Sequence, residues 1–305
     1  MKYAVIGDPV AHSISPALHA VVFERLGLDV RYDKVRVRGD DLAAFVSRMK
    51  SGKDEGGEGG EGGGEAPLGV NVTIPHKKAI LPLIDEVRGD ALLAGAVNTV
   101  VREGGYLAGY NTDMEGLLLS LVGAGSGYKD KAVCIFGTGG AALGAAVKAA
   151  GEGAKTVRVI GRNKKKADEV CMRTAAAANA IVAAIAYDGH IPAQAVLDTD
   201  VFINATPLGM QGYSQDFDDL GFLDALPKTA LVYDCVYIPA ETALVHEARA
   251  RGLRAENGLS MLVWQGLLSD VHFLRAAGET RFTKAEILSQ EMFSAVYQTL
   301  ERTLL

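Results

Sequence analysis

From Lys131 onward the chain repeats one pattern: "KAVCIFGTGGAALGAAVKAAG", "TVRVIGR", "AIVAAIAY", "DVFINATPLGM" and "ALVYDCVY". Five strand candidates separated by helices or loops predict a doubly wound parallel sheet. The first third alternates in the same way, with "KYAVIGD" and "VRYDKVRV" as strands around the helical "SISPALHAVVFERLGL". In that helix Ser15–Pro16 would place a serine cap before a proline at the first helical position. A further helix is expected near 41–49. The fold class is therefore α/β in two lobes, and 305 residues are enough for two domains with separate cores. The lobes are expected at 1–114 with 256–305, and at 115–255.

Past residue 255 the periodicity is helical, through "LSMLVWQGLLSDVHFLRAAG" and "TKAEILSQEMFSAVYQTLERTLL", the latter opening on a capping box, Thr283 with Glu286. These closing helices have no strand partner and are expected to return to the first lobe. Between helix and strand the run "SGKDEGGEGGEGGGE" (51–65) has too little apolar surface to bury and reads as a mobile surface loop. A net charge of -6 argues against nucleic acid as a partner. No apolar window is long enough to span a membrane, and "MKYAVIGD" enters a strand directly without the features of a signal peptide. Cys134, Cys171 and Cys235 are scattered and odd in number, which suggests a reducing cytoplasm and fits no metal site. A hinged cleft between the lobes is the expected place for a small-molecule ligand.

"CIFGTGGAALGAA" sets Gly137, Gly139 and Gly140 between a strand and an Ala-rich helix. Glycines let a backbone approach a pyrophosphate, and the helix start offers unpaired N–H groups. The spacing departs from G-x-G-x-x-G, so a tight turn without a ligand is the competing reading. The next strand ends in Arg162, about where a ribose-reading residue belongs. An acid there would hold the 2′-hydroxyl of NAD; Arg162, with Asn163 and three lysines after it, would welcome a 2′-phosphate. A solvated basic helix start is the alternative, and the better one for Lys164 and Lys165.

"GVNVTIPHK" (69–77) has the composition of a strand, yet Asn71, Thr73 and Lys77 are polar. Alternation on a half-wet strand would explain them, and so would a polar floor beneath a ligand. Ser13 and Ser15 in "AHSISPALH", and Asn98, Thr99, Asn111, Thr112 and Asp113 in "GAVNTVV…GYNTDMEG", share the same character. Small hydroxyl and amide groups suit a polyhydroxylated anionic ligand, because each unmatched buried group is costly. Lys77 and Asp113 make the natural acid–base pair among them.

Taken in order, "HSISPALH", "NVTIPHK", "GAVNT", "GYNTDMEG", "GTGGAA", "NATPLGM", "YDCVY" and "GLSMLVWQG" resemble the shikimate dehydrogenases nearly end to end. The resemblance implies an N-terminal lobe that binds shikimate and a Rossmann-type central lobe that binds NADP. It implies that Ser13 and Ser15 hold the substrate carboxylate, with Tyr237 nearby. Thr73, Asn98, Asp113 and Gln265 would contact ring hydroxyls, Asn71 would line the pocket or brace its backbone, and Lys77 with Asp113 would be the catalytic pair. Gly137, Gly139, Gly140, Ala141, Arg162, Asn163, Lys166, Thr206, Met210 and Val236 would hold the dinucleotide, with Gly258 and Met261 by the nicotinamide. His12 and His76 are expected to be structural. The implied activity is reversible NADPH-dependent reduction of 3-dehydroshikimate to shikimate by a cytoplasmic monomer or homodimer.

The chain departs from the family pattern in three places. "GRN" (161–163) stands where the family has "NRT", the acidic run 51–65 is additional, and Asn257 precedes Gly258. Two rivals follow: an enzyme that also accepts quinate and NAD, and a non-catalytic sensor of shikimate-like ligands. A sensor should have lost Lys77 or Asp113, and both are present.

Overall fold

The computed structural model describes residues 1–54, 64–178, 180–213 and 215–304. The chain divides into two compact units, residues 1–112 with 263–303, and residues 113–262. The bulk of the glycine-acid run (55–63) lies outside the described residues.

The first unit holds β1 (Lys2–Gly7), α1 (Ser15–Arg25), β2 (Arg31–Arg36), α2 (Leu42–Ser51), β3 (Lys53–Asp54) and β4 (Gly64–Glu65). It continues with β5 (Gly69–Val72), α3 (His76–Ala79), β6 (Glu86–Val87), α4 (Asp90–Ala94), β7 (Thr99–Glu103) and β8 (Tyr106–Tyr110). Its six-stranded sheet runs β2-β1-β5-β7-β8-β6. β1 is parallel to β2 and β5, while β7 is antiparallel to β5 and β8. Ala4, Ile6, Val70, Val72, Val97, Val100 and Leu107 form one side of its core with Phe45, Val46 and Met49 of α2. β5 is buried at all four positions, so it has no wet face. Alternation on a half-wet strand therefore fails for this stretch: Asn71 is an interior polar residue, and Thr73 and Lys77 lie beyond the strand end.

Three local expectations need correction. α1 starts at Ser15, with Ile14 at the cap position, no side-chain cap and Pro16 in the first turn. Ser15 is thus in the helix; its N–H is taken by Ser13 Oγ at 3.3 Å. The C-terminal helix is broken into α10 (Lys284–Ile287), which does open on the Thr283/Glu286 capping box, and α11 (Gln290–Leu304). At the flanks of the glycine-acid run, β3 and β4 pair antiparallel, Asp54 opposite Gly64.

The second unit opens with α5 (Asp113–Gly123), followed by β9 (Ala132–Phe136), α6 (Gly140–Gly151), β10 (Thr156–Gly161), α7 (Lys164–Ala177) and β11 (Ile181–Ala186). Then come β12 (Val201–Asn204), β13 (Leu231–Asp234), α8 (Ala243–Ala250) and β14 (Arg254–Glu256), and α9 (Leu259–Ala276) begins. All strands are parallel in the order β11-β10-β9-β12-β13-β14. Numbered within the unit this is 3-2-1-4-5-6, the doubly wound dinucleotide-binding order, one strand more than the five expected. The sixth, β14, escapes a periodicity reading because it has three residues and only the middle one is buried. The boundary between units falls inside α9, after Leu262. No helix among the described residues is long and apolar enough to cross a membrane.

Candidate active site

In the first unit the chain leaves β1 and β5 side by side. Thr73 N–H donates to Ile6 O at 2.9 Å and Asp8 N–H to Ile74 O at 3.1 Å. Gly7 allows this approach, since a Cβ there would sit 2.4 Å from Thr73 Cγ2. Thr73 is half-buried just past β5, and Lys77 is the second residue of α3, also half-buried. The carbonyl of Lys77 takes the Val97 N–H at 2.8 Å, which anchors α3 to the segment leading into β7.

Asn98 is 2 % exposed and carries a dense set of bonds. Its Oδ1 accepts the Thr112 N–H at 2.8 Å and the Thr99 hydroxyl at 3.1 Å. Its Nδ2 donates to Thr112 Oγ1 at 2.8 Å and to Gln265 Oε1 at 3.4 Å. Gln265 is thereby brought to Asn98 from 167 residues away, on α9. Asn71 Nδ2 donates to Ser269 Oγ at 2.9 Å and lies 3.3 Å from Thr99 Oγ1. The amide of Asn71 is therefore spent inside the protein, which makes it a brace for the polar floor. Ser13 and Ser15 are half-buried, with the Ser13 hydroxyl donating to Ser15 Oγ at 3.1 Å. His76 is buried with Nε2 at 2.6 Å from Val37 O, a structural tie, while His12 is exposed.

Sequence reading missed His19, Tyr32, Ser269 and Asp270. His19 Nδ1 lies 2.7 Å from Asp270 Oδ1, both residues buried, and its ring stacks on Tyr32 at 4.2 Å between centroids. Burial raises the Asp270 carboxyl above its ordinary value, and His19 partly offsets this.

In the second unit Gly137 follows β9 at φ 130, and a Cβ there would lie 2.9 Å from Ala205 O. Only glycine fits, so the loop after β9 meets the loop after β12 where the strand order reverses, the usual ligand position in such sheets. Gly139 caps α6, and neither it nor Gly140 has any atom within 4 Å of an added Cβ. Ala141 is exposed beside them. An open glycine platform at the start of a 12-residue helix fits a pyrophosphate.

Gly161, where the family pattern has Asn, makes room for Thr138: a Cβ at 161 would stand 2.4 Å from Thr138 Cγ2. Arg162 is exposed and donates to Gln215 Oε1 at 3.3 Å. Asn163 is the N-cap of α7, its Oδ1 accepting the Lys166 N–H at 3.1 Å. Lys166 is exposed in the first turn of that helix.

The Thr206 hydroxyl donates to Asn204 Oδ1 at 2.6 Å, and Met210 is 41 % exposed beyond it. Val236 is buried and its N–H donates to Asp234 Oδ1 at 3.0 Å. Gly258 cannot carry a side chain, because a Cβ would lie 2.2 Å from Cys235 O. Asn257 Oδ1 accepts the Leu259 N–H at 3.0 Å, which gives that departure a role at the start of α9. Met261 is half-buried on the same turn. Asp113 is the first residue of α5, where the helix dipole favours a carboxylate. Tyr237 is half-buried, and burial raises its hydroxyl pKa. Burial, with Asp234 and Asp113 near, likewise raises the Cys235 thiol, which makes it a poor nucleophile.

Residues 5–59 and 63–100 match the family described as the shikimate dehydrogenase substrate binding domain. A shikimate dehydrogenase (NADP(+)) of Alkaliphilus metalliredigens is 36% identical over 266 residues, which is 87% of this chain and 88% of that protein. The chain belongs to the shikimate dehydrogenase family. Among solved structures, the Thermus thermophilus shikimate 5-dehydrogenase in complex with NADP(H) and shikimate is 29% identical at a TM-score of 0.75, covering 98% of this chain and 99% of that one. The ligand-free 5-ketofructose reductase of a Gluconobacter strain is 29% identical at a TM-score of 0.82, covering 99% and 98%. Family and fold thus agree with the motifs, and the chain is an oxidoreductase of this family.

Proposed function

We propose that this protein catalyses the reversible NADPH-dependent reduction of 3-dehydroshikimate to shikimate, the first unit holding the substrate and the second the dinucleotide. The observation that carries the reading is the Asn98 network, in which Thr112, Thr99 and Gln265 converge on one buried amide with the Ser13–Ser15 pair in the same unit. Two hydroxyls suit a carboxylate, and a set of short amide and hydroxyl groups suits ring hydroxyls. In this reading Ser13, Ser15 and Tyr237 serve the carboxylate end, and Thr73, Asn98, Asp113 and Gln265 serve the ring.

The second unit fits a dinucleotide on its own geometry. Gly137, Gly139, Gly140 and Ala141 offer the platform for the pyrophosphate, and Arg162 with Asn163 and Lys166 offers positive charge for a 2′-phosphate. Thr206, Met210, Val236, Gly258 and Met261 belong to the loops assigned to the nicotinamide end. NADP, when bound, supplies or accepts the hydride.

During reduction the C3 oxygen of the substrate gains negative charge and must take a proton. Lys77 and Asp113 are the pair assigned to this step: the ammonium donates to or neutralises the developing alkoxide, and the carboxylate orients the hydroxyl. In the oxidative direction the same pair withdraws the proton.

The test follows reduced nicotinamide by its absorbance on mixing the protein with shikimate and NADP. Turnover supports the reading; binding without turnover identifies a sensor instead.

A further inference from the structure

The polar floor of the proposed substrate pocket is held by a residue that does not belong to it. The Tyr32 hydroxyl donates to Asn71 Oδ1 at 2.7 Å. The chain of bonds runs from Tyr32 to Asn71, then on to Ser269 and Thr99. Thr99 passes it to Asn98, and Asn98 to Gln265. Every link lies within the first unit.

The Tyr32 ring has its own support. It stacks on His19 at 4.2 Å with the planes 19° apart, and His19 is held by Asp270 at 2.7 Å. Asp270 is fully buried on α9, and its Oδ2 has no hydrogen-bond partner among the described residues. A buried carboxylate oxygen left unmatched is expensive to keep and calls for a reason. Here the carboxylate fixes one imidazole nitrogen as donor, and so fixes the face on which Tyr32 rests.

We infer that Tyr32, seated on the His19–Asp270 pair, is a positioning residue that fixes the Asn71 amide and, through it, the hydroxyl-binding Asn98 network. The inference rests on the substrate assignment above. Removing the Tyr32 hydroxyl leaves Asn71 Oδ1 without its donor. The amide is then free to turn, and binding of the unreacting parts of the substrate weakens. Such a loss is uniform in ground and transition states, so it raises KM with little effect on kcat.

The experiment compares steady-state kinetics of the unmutated protein, Tyr32→Phe, Asp270→Ala and Asp270→Asn with shikimate and NADP. Tyr32→Phe keeps the stacked ring and is expected to raise KM for shikimate about tenfold, the cost of roughly one hydrogen bond with an unmatched partner. Its kcat should stay within about threefold and its KM for NADP within about twofold. Asp270→Ala should raise KM for shikimate similarly. Asp270→Asn, which still offers Oδ1 to His19, should restore a near-normal value, a rescue that a merely structural role does not predict.

An unchanged KM for shikimate in Tyr32→Phe, or an equal rise in KM for NADP, overturns the inference. Should Asp270→Ala fail to fold, Tyr32→Phe alone decides. Asp270→Asn as impaired as the alanine variant would remove the His19 anchor from the account. If the unmutated protein neither turns over nor binds shikimate, the substrate assignment fails first and this inference falls with it. Normal turnover with an unaffected Tyr32→Phe defeats the inference alone.

Discussion

Asn204 Nδ2 donates to Asp234 Oδ1 at 2.9 Å, tying the carboxyl end of β12 to that of β13. The same carboxylate accepts from the Val236 N–H at 3.0 Å and the Thr242 hydroxyl at 2.6 Å, and Asn204 Oδ1 accepts from Thr206. Two loops assigned to the cofactor are thus held by one buried amide–carboxylate pair.

This pair predicts a pH effect on stability. Burial raises the Asp234 carboxyl to about 6, with Thr242, the Val236 N–H and Asn204 opposing it. Stability from a raised carboxyl is present below the unfolded value and is lost as pH rises through the folded one. Unfolding in urea at pH 5 and pH 7.5 should therefore show Asp234→Asn gaining about 1 kcal/mol on the unmutated protein as pH rises. Parallel pH profiles would show that Asp234 titrates normally.

Lys77→Ala tests the proton step. If the lysine acts when charge develops on the C3 oxygen, kcat should drop by about 10²-fold or more, while KM stays within a few-fold. A change confined to KM would make Lys77 a binding residue.

The doubly wound sheet and both lobes were legible because buried strands and amphipathic helices leave strong local patterns. Residues whose roles depend on distant partners were not. Nothing near His19 in sequence points to Asp270, which is 251 residues away. Asn71 reads equally as a pocket residue or a brace, and Ser269, whose hydroxyl takes its amide, is 198 residues on. Asn163 carries a local signal, a short polar residue before a helix, that its proximity to Arg162 obscured. Ser15 carried the same signal, yet the structure uses it inside the helix.

The glycine-acid run can be tested by replacement. Asp54 and Gly64 are opposite each other in the β3–β4 ladder, so Asn-Gly in place of residues 55–63 should close a two-residue hairpin. Shortening the loop should stabilise the protein by about 1 kcal/mol through lower closure entropy, with turnover unchanged. Thermal melting and kinetics of this variant check both points, and lost turnover would give the run a role.

Cofactor choice turns on Arg162. One charge-assisted bond to a 2′-phosphate should favour NADP over NAD by about 10- to 100-fold in kcat/KM, with exposure trimming the gain. Arg162→Ala should weaken NADP while sparing NAD, as read by kinetics with each cofactor. Gly161→Asn, restoring the family residue, should perturb this edge, because its side chain would collide with Thr138.

Initial rates with shikimate or quinate, each paired with NADP or NAD, decide whether the protein dehydrogenates shikimate with NADP. Shikimate with NADP should have the highest kcat/KM of the four pairs, by about tenfold or more over shikimate with NAD. Equal rates with both cofactors, a preference for quinate, or no reduced nicotinamide from shikimate would contradict it.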